Sequence, residues 1–143
     1  MNSVDGNSNG VQGSLNTVIG TDNGVQGDYN LVKGNKNDVI GRENEVVGSK
    51  NNVQGDLNGV LGNRNDVYGD QNLARGNDNS IYGDKNKVNG DTNVVQGNIN
   101  KINGDQNIVS GNENGVNGSG NYLKGDQNII RKGDDNVIGG SRN

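Results

Sequence analysis

The chain has no cysteine, proline, histidine, tryptophan or phenylalanine. Without cysteine there is neither a disulfide framework nor thiol chemistry, an absence compatible with any redox compartment. Without histidine the commonest general base is missing. With aromatics at 3% and hydrophobic residues at 27%, an ordinary leucine-and-aromatic core is excluded. No apolar run approaches the length of a membrane span, so no membrane insertion is expected. Asn2, Ser3, Val4, Asp5 and Gly6 lack the basic and apolar regions of an export signal, which leaves localisation open. The net charge of −4 is spread without a run of Lys or Arg, so the sequence offers no footprint for nucleic acid or an anionic membrane.

Composition alone reads as disorder, because little apolar surface is available to offset chain entropy. Periodicity overturns that reading. Glycine recurs at Gly6, Gly13, Gly20 and every seventh residue to Gly125. Asparagine follows three residues later, from Asn9 to Asn128, and an aliphatic residue two after that. This last slot is mostly Val, with Ile81, Ile102, Ile130, Ile138, Leu123 and Ala74 as variants. Lys132 is a single insertion, after which Gly133, Asn136, Ile138 and Gly140 resume the pattern.

A heptad also suggests a coiled coil, but each repeat has one reliable apolar position instead of two. A glycine in every second helical turn would cost about 1 kcal/mol each. The GxxNxVx unit fits a short extended segment, NxVx, followed by a turn, Gxx. Two units close one 14-residue coil. The sequence therefore predicts an all-β, single-chain β-solenoid over residues 1–143. It has about ten coils, an interior of Val and Ile and ladders of Asn, in a rod on the order of 50 Å long at ~4.8 Å per coil. Backbone groups pair with the coils above and below, and Asn amides satisfy one another and the turns. Ala74 is the weakest rung of the core.

Stretches such as GSLNTVIG, GNKNDVIG, GSKNNVQG and GDQNIVSG resemble the xxNxVxG repeat of grass-type ice-recrystallisation-inhibition and antifreeze proteins. The resemblance covers nearly the whole chain. It implies a left-handed β-roll, and ice as the ligand. A weaker similarity is to the head repeats of trimeric autotransporter adhesins. The resemblance implies rows of small hydroxyl and Val residues on one flat face, yet Thr occurs only at Thr17, Thr21 and Thr92. Long charged side chains such as Glu45, Lys87 and Lys101 would roughen a plane that orders water.

The repeat is in register at Asn2 and at Asn143, so no capping unit is expected at either end. The leading functional expectation is thus a structural subunit that polymerises with copies of itself. Asn2 and Val4 of one copy would meet Ile138 and Asn143 of another in a non-closing, head-to-tail contact. Two outward apolar stripes are candidate lateral contacts between filaments. One holds Ile19, Leu31, Val47, Leu61 and Leu73; the other holds Tyr68, Tyr82, Val94, Ile108 and Tyr122, with Val137 beyond it. Ice binding is the alternative, and an adhesive or carbohydrate-binding face is a third reading.

No catalytic, cofactor or metal site is expected, since uniform rungs offer no cleft for acid–base or nucleophilic groups. Asp follows Gly at Asp28, Asp56, Asp70, Asp84, Asp91, Asp105, Asp126 and Asp134, but the calcium-binding roll repeats every nine residues and this chain does not. Those residues read as turn formers. Asp134 and Asp135 beside Lys132 read as a solvated corner.

Overall fold

Each NxVx segment is too short to bury anything alone, so it becomes a strand only by pairing with its equivalent 14 residues away. A computed structural model, which describes residues 1–142, contains twenty such strands and no helix. They run from β1 (Ser3–Asp5) and β2 (Gly10–Gln12) to β19 (Ile129–Ile130) and β20 (Val137–Gly139). Odd-numbered strands form one ten-stranded parallel sheet, here sheet 1, and even-numbered strands form the other, sheet 2. The chain alternates between them, so each coil contributes one strand to each. Pairing is in register: Val53 faces Val67 on sheet 2, and Val46 faces Val60 on sheet 1. The expected β-solenoid of about ten coils is the observed fold.

Between the sheets lies one column of aliphatic side chains per sheet. Val18 through Leu123 are at most 3% exposed, and Ile130 is 6% exposed. Val11 and Ile138 pack against this column while partly exposed. Ala74 is fully buried between Val60 and Val88, so the rung with the smallest side chain still closes.

Flanking the aliphatic columns, Asn16 through Asn128 are buried to within 2% of full exclusion. Their burial is tolerable because each amide is saturated along the stack. Asn65 shows the pattern. Its main-chain N–H donates to Asn51 Oδ1 at 3.0 Å, and its Nδ2 donates to Asn51 Oδ1 at 3.1 Å and to the Gly76 carbonyl at 2.8 Å. Its own Oδ1 accepts the main-chain N–H and Nδ2 of Asn79, each at 3.0 Å. A buried amide costs stability only when its donors and acceptors are unmet, and here both ends are met by the adjacent coils.

The corners need two departures from ordinary backbone. The repeat glycine sits at positive φ, for instance +140° at Gly62, which the sequence anticipates. Two residues on, the chain enters the left-handed region again, with φ near 60°. This slot holds Leu15, Tyr29, Leu57 and the β-branched Ile99 as readily as polar residues. Each such residue costs about 1–2 kcal/mol relative to a right-handed conformer. The cost is offset by a main-chain bond to the coil below, such as Leu57 N–H to the Arg42 carbonyl at 2.9 Å.

Lys132 is absorbed at the corner between β19 and β20. Register is recovered by Tyr122 pairing with Val137 and Leu123 with Ile138, and the Asn ladder continues from Asn121 Oδ1 to the Asn136 N–H at 3.0 Å.

Candidate functional site

With the interior given over to ladders, chemistry can reach a partner only through the outward residues on either side of each core residue. The two sheets differ sharply there. Sheet 2 displays Asp38, Asp66 and Lys124 as its charged residues. The remainder is glycine, amide, hydroxyl or apolar, including the Gln12, Gln26 and Gln54 row. Sheet 1 displays Asp5, Lys33, Glu45, Arg75, Lys87, Lys101 and Arg131. The side chains that would roughen a water-ordering plane, Glu45, Lys87 and Lys101, therefore all lie on sheet 1. Sheet 2 is the less charged face, with three charged residues against seven.

Order on sheet 2 is reinforced by side-chain contacts. Tyr68 and Tyr82 occupy successive rungs with ring centroids 5.1 Å apart and planes 2° from parallel. Asn52 Nδ2 donates to the Tyr68 hydroxyl at 2.6 Å from the rung below. Such stacking removes rotamer freedom that isolated surface tyrosines would keep.

The outward apolar residues separate as follows. On sheet 2, Val94, Ile108 and Tyr122 are consecutive in one row, with Ile108 and Tyr122 exposed and Val94 half-buried. Tyr68 (half-buried) and Tyr82 (exposed) lie in the other row of that sheet. On sheet 1, Ile19 and Leu61 are exposed, while Leu31, Val47 and Leu73 are half-buried. These five do not form an unbroken stripe, because Lys33, Glu45 and Gly59 interleave with them. Of the candidate end residues, Asn2 bonds the Gly13 carbonyl through Nδ2 at 2.9 Å and accepts the Asn16 N–H at 3.0 Å. Val4 is exposed and Ile138 is partly buried, whereas Asn143 lies outside the described residues.

Two features escaped sequence reasoning. The first is a second ladder, on the outside of the corners. The slot after each glycine, read from sequence as a turn former, sends its carboxylate or amide to the coil below. Asp70 Oδ1 accepts the Asp56 N–H and Asp84 Oδ1 accepts the Asp70 N–H, both at 2.8 Å. Asp28, Asp91, Asp105, Asp126 and Asp134 accept likewise, and Ser119 and Ser141 do so through Oγ. The signal was present, since apart from Arg42 the slot is restricted to short side chains that can accept. Arg42 instead pairs with Asp56 at 3.2 Å, and Arg64 with Asp78 at 2.6 Å, between successive coils. Hydrogen bonding to Asp78, followed by its charge, raises the Arg64 guanidinium pKa.

The second is a grouping of cations. Arg75, Lys87, Lys101 and Arg131 are dispersed along the sequence, but the coil period brings them to one half of sheet 1. They border an open trough of about 510 Å³.

This geometry defines a regular β-roll whose exposed sheets, not a cleft, are available for recognition. The family model of the grass antifreeze beta roll matches residues 2–76 and again residues 69–143, and the chain belongs to that family. A search of curated proteins found no match.

Proposed function

We propose that the chain is a non-catalytic ice-binding protein and that sheet 2 is the surface that meets ice. The observation that carries this reading is the charge asymmetry of the sheets. Charged groups hold their own hydration shells and must be desolvated to join an ordered water layer, whereas neutral amides, hydroxyls and apolar groups can be bridged by ordered water. On sheet 2 these groups repeat on every rung at a spacing of ~4.8 Å. Family membership supports the same reading. In a frozen sucrose solution the chain is expected to retard recrystallisation. The double variant Gln54→Lys/Ser80→Lys on sheet 2 should lose most of that effect, and Asn89→Lys on sheet 1 should keep it. Equal activity of all three proteins would exclude sheet 2 as the ice face.

Self-association remains a second reading, favoured by the polarity of the ladders. In the inner ladder the upper coil donates to the Asn Oδ1 below, while in the outer ladder the lower coil donates to the side chain above. An upper coil of one copy and a lower coil of another would thus complete both ladders in a single orientation. Asn2 and Val4 would face Ile138 and Asn143 in that contact, and the Val94, Ile108 and Tyr122 row would join rods laterally. Electron microscopy should then show filaments many times longer than ~50 Å. Ile108→Lys/Tyr122→Lys should separate bundles into single filaments. Isolated short rods at every concentration would exclude this reading.

A further inference from the structure

The cationic half of sheet 1 is not used by the ice reading and stands independently of it. One outward row runs Leu73, Lys87, Lys101, Gly115, Ile129, and its neighbour runs Arg75, Asn89, Asn103, Asn117, Arg131. No acidic side chain stands in either of these two rows. Among the described residues, none of the four cations is held in an ion pair. The three asparagines form an outward amide chain along the rod. Asn89 Nδ2 donates to Asn103 Oδ1 at 2.9 Å, Asn103 Nδ2 to Asn117 Oδ1 at 3.0 Å, and Asn117 Nδ2 to the Arg131 carbonyl at 3.0 Å. Each of these amides keeps a second N–H for a partner. Gly115 leaves the floor open, with room for a Cβ at ordinary contact distance from Ile129.

We propose that this trough binds a linear, carboxylate-bearing polysaccharide lying along the rod axis. Four chemical features select that class. Arg75 and Arg131 have three neutral amides between them and flank the adjacent pair Lys87 and Lys101, a mixture of charge and hydrogen-bonding groups that suits a polymer bearing both carboxylates and hydroxyls. The trough is straight, and its rungs repeat at ~4.8 Å, a length of the order of one sugar unit. The tyrosines of the strands, Tyr68, Tyr82 and Tyr122, all lie on sheet 2, so sheet 1 lacks the stacking platform that single-stranded nucleic acid uses. A second copy of this chain is a poorer occupant, because its stacked Asp56, Asp70 and Asp84 carboxylates already accept main-chain N–H groups.

Affinity electrophoresis of the full chain through gels containing alginate, in calcium-free buffer, tests the assignment. Alginate should retard the chain, an effect reversed by salt, while neutral dextran should not. Lys87→Gln/Lys101→Gln should weaken retardation about tenfold, as two exposed charge contacts allow. Gly115→Leu, which occupies the floor without a change of sign in φ, should weaken it with the circular dichroism spectrum intact. Lys50→Gln/Arg64→Gln, at a corner, should leave it unchanged. The proposal is overturned by absence of retardation in alginate, by equal retardation of the trough and corner variants, or by tighter binding to a single-stranded oligodeoxynucleotide than to alginate.

Discussion

Gly62→Ala is expected to lower the thermal midpoint by on the order of 10 °C, corresponding to about 4 kcal/mol in a chain of this size. Two effects add. Gly62 has φ of +140°, a conformation that costs an L-residue about 1–3 kcal/mol. Its Cβ would also collide with the carbonyl oxygen of Gly76 in the coil above, which is backbone and cannot swing away. The corner must therefore open, weakening the bonds from Gly62 N–H to the Val47 carbonyl and from Gly76 N–H to the Leu61 carbonyl, each 3.0 Å long. Gly10→Ala is the matched control. Its Cβ meets nothing within 4 Å, and its φ is not in the positive region, so melting should move by no more than about 0.5 kcal/mol equivalent. Circular dichroism melts of the two variants make the comparison. Equal midpoints would mean that the corners are not the close-packed stacks described above.

The inner ladder predicts an effect of similar size with a different signature. Asn65→Ala orphans the Asn79 main-chain N–H and the Gly76 carbonyl in a site where Asn65 itself is 0% exposed. Two buried unsatisfied groups at roughly 1–3 kcal/mol each, with a small cavity, give an expected loss of about 3–5 kcal/mol. Asn65→Asp has nearly the same shape but replaces the Nδ2 donor by an acceptor that faces Asn51 Oδ1 and the Gly76 carbonyl. Its carboxyl is held protonated by these oxygens and by burial, so its folded pKa rises above the unfolded value of about 3.9. Below that unfolded value both states carry the proton and the variant keeps its stability; as pH rises towards the folded value, the stability is progressively lost. Urea denaturation at pH 3 and pH 7 measures this directly. The variant should approach the parent at the lower pH and fall well below it at the higher one. A loss independent of pH would mean that the ladder amides are not oriented as drawn.

Much of this scaffold was legible from residue spacing. The invariant Gly, Asn and aliphatic slots specify a corner, a buried amide and a core position, and register follows because a slip by one residue would turn Val outward. The second positive-φ residue of each corner was not legible, because the slot accepts Leu57, Ile99 and Lys85 alike; the constraint is met by the main chain and leaves no mark on side-chain choice. The outer Asp and Asn ladder was half legible. Its restricted composition was visible at Asp56, Asp70 and Asp84, but local turn chemistry explains the same residues, and only coordinates separate a bond within a turn from one between coils. The faces were least legible. Lys87 and Arg131 are 44 positions apart in sequence and three rungs apart in space. Judging their grouping from runs of like charge misses what the coil period does.

Sheet 2 as the ice-adsorbing face is most directly tested by growing a single ice crystal in a dilute solution of the chain labelled at its N-terminus, beside the labelled Gln54→Lys/Ser80→Lys variant. The account predicts that the parent chain is overgrown into the ice and that the variant is excluded into the liquid. Exclusion of both, or equal incorporation of both, would contradict it.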